Sequence, residues 1–431
     1  MTDEKDHKAG VSETDSPKQT PQELDVSDQA TPLDDYKPVH DPALFEAPQV
    51  APVFDQTIQI SPLHLFAAER NQTNEWVKWN DFSCVEHYQD LENDYQAMRY
   101  RAGICDISAL TKYLFTGPDV TAALNRLMTI DVPKIAIGQS ARTFYCTDDG
   151  FVIGEGILYC LEENEYRLTT EGYHLDWFME GVELFQAVVE DTTEQVAGIL
   201  LAGPACCELL KTIGLEKPLS WSKGQGGWIK MFHEPVYLTR TGSLGADSFE
   251  LWMDIEDAPL IWTRLLKMGE PLGLAPFGEG ARRLARLEAG HPSFALDYVG
   301  AFAPDEGAGV VTPFDLGLGK LVDGEKSGFA GKAALKAILH RGASIALIGI
   351  EISQEGPVSL STLHANGKRA GWVSSCLFSP GLNRYIALGH LSMEALGTDG
   401  VIEVDAVLGE KWSQISKRLP VKIAEKPFLT N

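Results

Sequence analysis

Residues 371–390 read GWVSSCLFSPGLNRYIALGH: a strand, a tight turn around Ser379-Pro380-Gly381, and a second strand. Gly371, Ser374, Ser375, Ser379, Pro380 and Gly381 stand where small or turn-forming residues let one backbone pass close beside another. Taken alone, the segment is a β-hairpin and could belong to many unrelated folds. Its company gives it meaning. Upstream, in chain order, stand ARRLARLEAG (Ala281–Gly290), TPFDLGLGKLVD (Thr312–Asp323) and FAGKAAL (Phe329–Leu335). Short strands and turns fill the rest of 331–431, which predicts a small β-barrel or jelly-roll-like module there.

Further outward, WVKWNDFSCVEHYQDLENDYQAMRYRAGICDIS (Trp76–Ser108) starts extended and then predicts a helix over about Asp90–Arg101, with Gly103 as its C-cap. LTKYLFTGPDVTAALNRLMT predicts a strand, a turn at Gly117-Pro118, and a helix N-capped by Asp119 or Thr121. TFYCTDDGFVIGEGILYCL and EYRLTT predict adjacent antiparallel strands, and HLDWFMEGVELF an amphipathic helix. Strand–helix alternation recurs over Val196–Gly214 and Val236–Gly269. A chain of 431 residues exceeds what one core normally needs. The expected division is a tail over 1–56, a two-part α+β region over 57–330, and the β module.

The tail is rich in Asp, Glu, Pro, Thr, Ser and Gln, and buries too little apolar surface to offset its ordering entropy. It is expected to be disordered, either as a solvated extension or as a recruiter of a protein partner. It holds thirteen acidic and four basic residues, leaving about −16 of the total −25 for the body. Such a charge argues against nucleic acid or an anionic membrane as main partner. No apolar run approaches the roughly 18 residues of a membrane span, and MTDEKDHKAG reads as no targeting signal, so the expected location is the cytoplasm. The seven cysteines form no CxxC pair and the ten histidines no HExxH, so no metal site is expected.

The blocks around the hairpin, in this order and spacing, resemble the folate-binding aminomethyltransferases typified by the T-protein of the glycine cleavage system. That superfamily also includes tetrahydrofolate-dependent demethylases. The resemblance spans about 58–428. It implies an α+β fold with three subdomains around a central cavity, and tetrahydrofolate as cofactor.

Site residues follow from it. In LTRTGSLGADSFELWMD (Leu238–Asp254), Glu250 lies on a strand after a Gly-rich turn, where the family has a Glu that holds the pterin. One carboxylate can accept the pterin's adjacent N–H and amino groups in a charge-assisted pair; the alternative is an ordinary strand Glu. Ser243 and Leu244 replace an aromatic and a Thr of the family motif. Arg282 and Arg286 lie one helical turn apart, suited either to the carboxylates of a folate tail or to interdomain ion pairs. Tyr113 joins these three in the expected cofactor site, or lines an apolar pocket with Trp221 and Trp228.

The chain departs from the family at GFVIGEGILY: the catalytic Asp position holds Gly154, followed by Glu155. An extended strand would turn Glu155 to the opposite face. The wording VIGEGILY resembles the demethylase branch, in which a small donor, such as a methoxylated aromatic, gives its methyl to folate. The expected activity is therefore demethylase-type, with glycine-cleavage aminomethyl transfer and a non-catalytic folate binder as alternatives. Positioning and one proton donor would carry such a reaction, and Glu155, Tyr145, Tyr159, His174 and Tyr237 are the candidates. GQGGW is no dinucleotide fingerprint, and GEGARRLARLEAG has no Walker lysine.

Overall fold

A computed structural model describes residues 58–429, except 243, 245, 246, 303–309, 355, 399 and 410–412. The acidic tail, its expected disorder and partner recruitment, and the altered position Ser243 lie outside the described residues.

Three larger sheets make the frame. A five-stranded sheet runs Ser140–Cys146, Val152–Glu162, Glu165–Thr170, Thr111–Thr116, Val188–Asp191 in spatial order. A six-stranded sheet runs Gly226–Met231, Glu234–Arg240, Ser248–Asp254, Val196–Ala202, Ala102–Asp106, Leu274–Pro276, the last pair being parallel. The C-terminal sheet has seven antiparallel strands and curls into a half-barrel. A small hairpin, Glu75–Trp79 with Phe82–His87, precedes them. This is the α+β, three-part architecture expected from sequence.

Each of the first two sheets covers one face with helices. Leu124, Leu127 and Phe178, from the helices Val120–Leu127 and Leu175–Val182, pack on Phe115, Leu158 and Leu168. Leu209, Ile261 and Leu265, from Cys206–Thr212 and Ala258–Gly269, pack on Ile199, Leu238 and Leu251. Their other faces turn inward. Tyr159, Leu200, Tyr237, Trp252 and Leu377, drawn from all three sheets, share one cluster with Ala281, Leu284 and Ala285 of the helix Glu279–Glu288.

That central helix is held by charge as well as apolar contact. Glu288 is fully buried; it pairs with Arg99 and accepts hydrogen bonds from Tyr95 Oη at 2.8 Å and Ser379 Oγ at 2.6 Å. Arg286 pairs with buried Asp297, donates to Ser375 Oγ at 2.8 Å, and reaches the His291 carbonyl at 3.1 Å. Arg283 pairs with Glu86 of the small hairpin.

The hairpin that opened the reading forms as Lys368–Ser379 and Arg384–Ser392. A Cβ on Gly371 would overlap the His390 carbonyl oxygen, so the close approach is real. Ser374 and Ser375 go further: both hydroxyls donate to Asp297 Oδ1, at 2.6 and 2.5 Å, tying the C-terminal sheet to the central helix through Arg286. The helix expected over Asp90–Arg101 spans Leu91–Tyr100, with the Asp90 side chain accepting from Asn93 N at 2.7 Å. Gly103 is no C-cap; it sits inside a strand, where the Phe277 ring would lie 2.6 Å from a Cβ.

Candidate active site

Glu250 sits where the sheets meet. Along Ser248–Asp254, Phe249, Leu251 and Met253 face the helical layer, so Glu250 and Trp252 face the centre. Tyr159 Oη donates to Glu250 Oε2 at 2.5 Å. Burial pushes the Glu250 carboxyl above its ordinary range, and the hydrogen bond from Tyr159 pulls back only part of that. Burial, and then the nearby Glu250 charge, pushes the Tyr159 phenol up in turn. Tyr237 stands edge-on to Tyr159, with ring centroids 6.3 Å apart, and burial raises its phenol to about 12.

On the same strand face as Tyr159, Glu155 is gripped by Arg142 through Nε at 2.8 Å and Nη2 at 2.5 Å. As the alternation implied, it points away from the face that holds Gly154 and Tyr145.

Arg282 is engaged through Nε, Nη2 and the face of its guanidinium. Nε and Nη2 form a fork onto Glu279 at 2.6 and 2.8 Å, and Nη2 reaches Glu171 at 3.3 Å. Its guanidinium lies over the Trp79 ring, 4.1 Å from the centroid. Glu171 also accepts from Ser293 Oγ at 2.8 Å. Arg282 therefore organises the wall around the centre, while Nη1 and Nη2 of Arg286 bond Asp297, Ser375 and a carbonyl and its buried Nε has no hydrogen-bond partner among the described residues. The two arginines face different partners.

Tyr113, Tyr145 and His174 come together, although Tyr113 was grouped with Glu250 on sequence. The His174 amide donates to Tyr113 Oη at 2.7 Å, and Tyr145 Oη lies 3.0 Å from His174 Nδ1 and 3.2 Å from Thr170 Oγ1. The Thr170 hydroxyl donates to the Glu155 carbonyl at 2.7 Å. Burial holds His174 at about 4, so the ring is neutral near pH 7, and burial pushes the Tyr145 phenol up. A Cβ on Gly154 would overlap the Tyr145 hydroxyl and stand 2.5 Å from Cζ. The phenol occupies the space that any side chain at 154 would need.

His174 lines a cavity of about 650 Å³ with Trp177 and Phe294. A second cavity, of about 600 Å³, carries Glu171 in its wall and shares Gly172, Tyr173 and Phe294 with the first. Trp221 is buried in the six-stranded sheet's core, and Trp228 is 48% exposed on that sheet's edge strand, so neither joins Tyr113 in an apolar pocket. Sequence reasoning did not reach Glu171, Glu279, Trp79, Arg142 or Phe294. Only Glu279 carried a local signal, lying three residues before Arg282 on one helix.

A family model described as the GCVT N-terminal domain matches residues 65–326. The chain belongs to that family. It is 30% identical over 378 residues to a protein of Bacillus pumilus named aminomethyltransferase, covering 84% of this chain and 97% of that one. It is 28% identical over 348 residues to an aminomethyltransferase of Caldanaerobacter subterraneus, covering 79% and 86%. The solved glycine cleavage system aminomethyltransferase T of Bartonella henselae superposes with a TM-score of 0.75 at 22% identity, covering 86% of this chain and 98% of that one; that likeness speaks to the fold. GCVT aminomethyltransferases use tetrahydrofolate as one-carbon acceptor. The centre of the chain fits a pteridine in its donor set: a carboxylate has about four lone-pair sites, and on Glu250 Tyr159 takes one while the Thr241 and Trp252 side chains also draw on it. The folate's tail carboxylates find no free fork in Arg282 or Arg286.

Proposed function

We propose that the protein is a tetrahydrofolate-dependent one-carbon transferase of the aminomethyltransferase type, working in the cytoplasm on a small-molecule donor. Glu250 carries the reading: a carboxylate raised by burial, at the junction of three sheets, with acceptor capacity beyond Tyr159. When bound, the reduced folate supplies the nitrogen that takes up the one-carbon unit. In this reading Glu250 accepts the pteridine N–H groups and fixes its orientation. Tyr159 and Tyr237 hold Glu250 in place. Glu279, Arg282 and Glu171 keep Trp79 packed as a wall that excludes water. Buried Tyr145 keeps its proton and is hydrogen-bonded with His174 at the cavity wall.

A second reading, demethylase-type methyl transfer, is favoured by one observation. Position 154 has neither a side chain nor room for one, so the strand offers no carboxylate there. Calorimetry with tetrahydrofolate tests binding, and the product separates the readings: a methylene-bridged folate for aminomethyl transfer, a 5-methyl folate for methyl transfer. Glu250→Ala is expected to weaken folate binding at least tenfold, ~1.4 kcal/mol, for loss of a charged bidentate contact. An unchanged Kd removes Glu250 from the site.

A further inference from the structure

The inner wall of the centre holds one carboxylate more than its arginines can pair. Arg142 spends Nε and Nη2 on Glu155, and Arg282 forks onto Glu279 at 2.6 and 2.8 Å. Glu171 is left with the 3.3 Å contact from Arg282 Nη2 and with the Ser293 hydroxyl at 2.8 Å. It lies one step beyond the paired residues Gly156 and Thr170, hence beside Glu155 on the same face of the five-stranded sheet. Burial pushes its carboxyl above the ordinary range; Arg282 and Ser293 pull it back in part, while the charges of Glu279 and Glu155 push it further. Alone of these three carboxylates it lines the cavity of about 600 Å³, whose other charged groups are Lys78, paired with Asp81, and Asp191 and Glu194. A surplus carboxylate among fixed charges is the group that most readily takes up a proton.

We propose that Glu171 is the proton acceptor of the one-carbon transfer, taking the hydrogen that the folate N5 gives up when that nitrogen receives the carbon. The assignment rests on the folate reading above and is the same for both of its products, since neither a methylene-bridged nor a 5-methyl folate keeps a hydrogen on N5. Glu171 receives the N5 proton as the N5–carbon bond forms and the carbon's former bond breaks, its electron pair leaving on the donor. The other carboxylates of the centre are committed. Position 154 is a glycine, Glu155 and Glu279 are held by arginines, and Glu250 is engaged by Tyr159 and, in this reading, by the pteridine edge. The Arg282 charge acts on Glu171 and on Glu250 alike, which places both carboxylates within electrostatic reach of one guanidinium. Gly172, next in the chain, stands in the wall of both cavities, so a donor held in either one meets Glu171 at their common partition. Ser293 positions the acceptor and tempers its basicity by bonding the charged form.

Calorimetry on the full chain, run in phosphate and in Tris to count protons, compares tetrahydrofolate with 5-methyltetrahydrofolate from pH 6 to 9. The two share the pteridine edge that Glu250 accepts, so any proton linkage at Glu250 cancels in the difference. An ionised Glu171 accepts from N5–H of the first, whereas N5 of the second offers only a lone pair and requires a protonated Glu171. Wherever Glu171 is ionised in the free chain and protonated in the complex, the methyl folate is expected to take up about one proton more than tetrahydrofolate and to lose affinity about tenfold per pH unit, while tetrahydrofolate does not. Glu171→Gln, whose amide can donate, is expected to abolish both the extra proton and the slope. Ser293→Ala removes a bond to the charged carboxylate and is expected to move the onset of the slope to higher pH, an independent reading should Glu171→Gln not fold. Equal proton uptake for the two folates, an extra proton that persists in Glu171→Gln, or an onset unmoved in Ser293→Ala overturns the proposal and leaves the folate reading standing. Binding of neither folate overturns both.

Discussion

Replacing Gly154 with alanine asks whether Tyr145 owns the space above that strand. The new methyl would overlap the phenol oxygen and lie 2.5 and 2.9 Å from Cζ and Cε2. Tyr145 has nowhere cheap to go. It is fully buried, stacked on Trp177 with centroids 5.4 Å apart, and bonded to Thr170 and His174. Overpacking of a filled core costs about 1–3 kcal/mol, and giving up two hydrogen bonds adds about 1 kcal/mol each. Gly154→Ala is therefore expected to lose about 3–5 kcal/mol, read as a lower urea midpoint at unchanged m. Tyr145→Leu removes the obstruction at its own cost of a few kcal/mol. In that background, Gly154→Ala should cost under ~1 kcal/mol, giving a coupling of at least ~2 kcal/mol. Single variants that add to within ~0.5 kcal/mol in the double, or a Gly154→Ala protein with the wild-type midpoint, refute the steric account. Gly154→Asp meets the same obstruction, so that change alone is expected to give no glycine cleavage activity.

The ion pairs on the central helix make a graded set. Arg286→Met strands Asp297 in the interior and should cost about 3–5 kcal/mol, whereas Arg283→Met, at the partly exposed pair with Glu86, should cost under ~1 kcal/mol by the same melts; equal losses would undo the distinction. His174 has a folded value near 4, below the unfolded value of about 6.5, so its contribution to stability is complete above 6.5 and is lost as the pH falls toward 4. His174→Gln should flatten the fall in urea midpoint between pH 7 and 4.5, and a wild-type slope in that variant would show that another group governs the acid limb.

The hairpin 371–390 was legible because turn chemistry, alternation and a crowded glycine all specify the same local geometry. Glu155's orientation was legible for the same reason, since a strand has only two faces. The arginines were not. Arg282 meets Glu171 across 111 positions and Glu288 meets Arg99 across 189, and no periodicity encodes such meetings. Nor did any local signal show that Ser374 and Ser375 would reach Asp297, or that Tyr113 would leave Glu250's neighbourhood for His174's. Gly103 misled because a glycine after a helix suggests a cap, while here it makes room for a phenyl ring.

The helix 279–288 works as an axle: successive charged side chains fasten different lobes, and none of those side chains lines the cavity beside His174. A chassis held this way lets the hollow change its lining without retooling the frame. Drift in the residues that touch the cargo then leaves the junction of the lobes intact, and one scaffold can exchange the small molecule it handles while its architecture stays put.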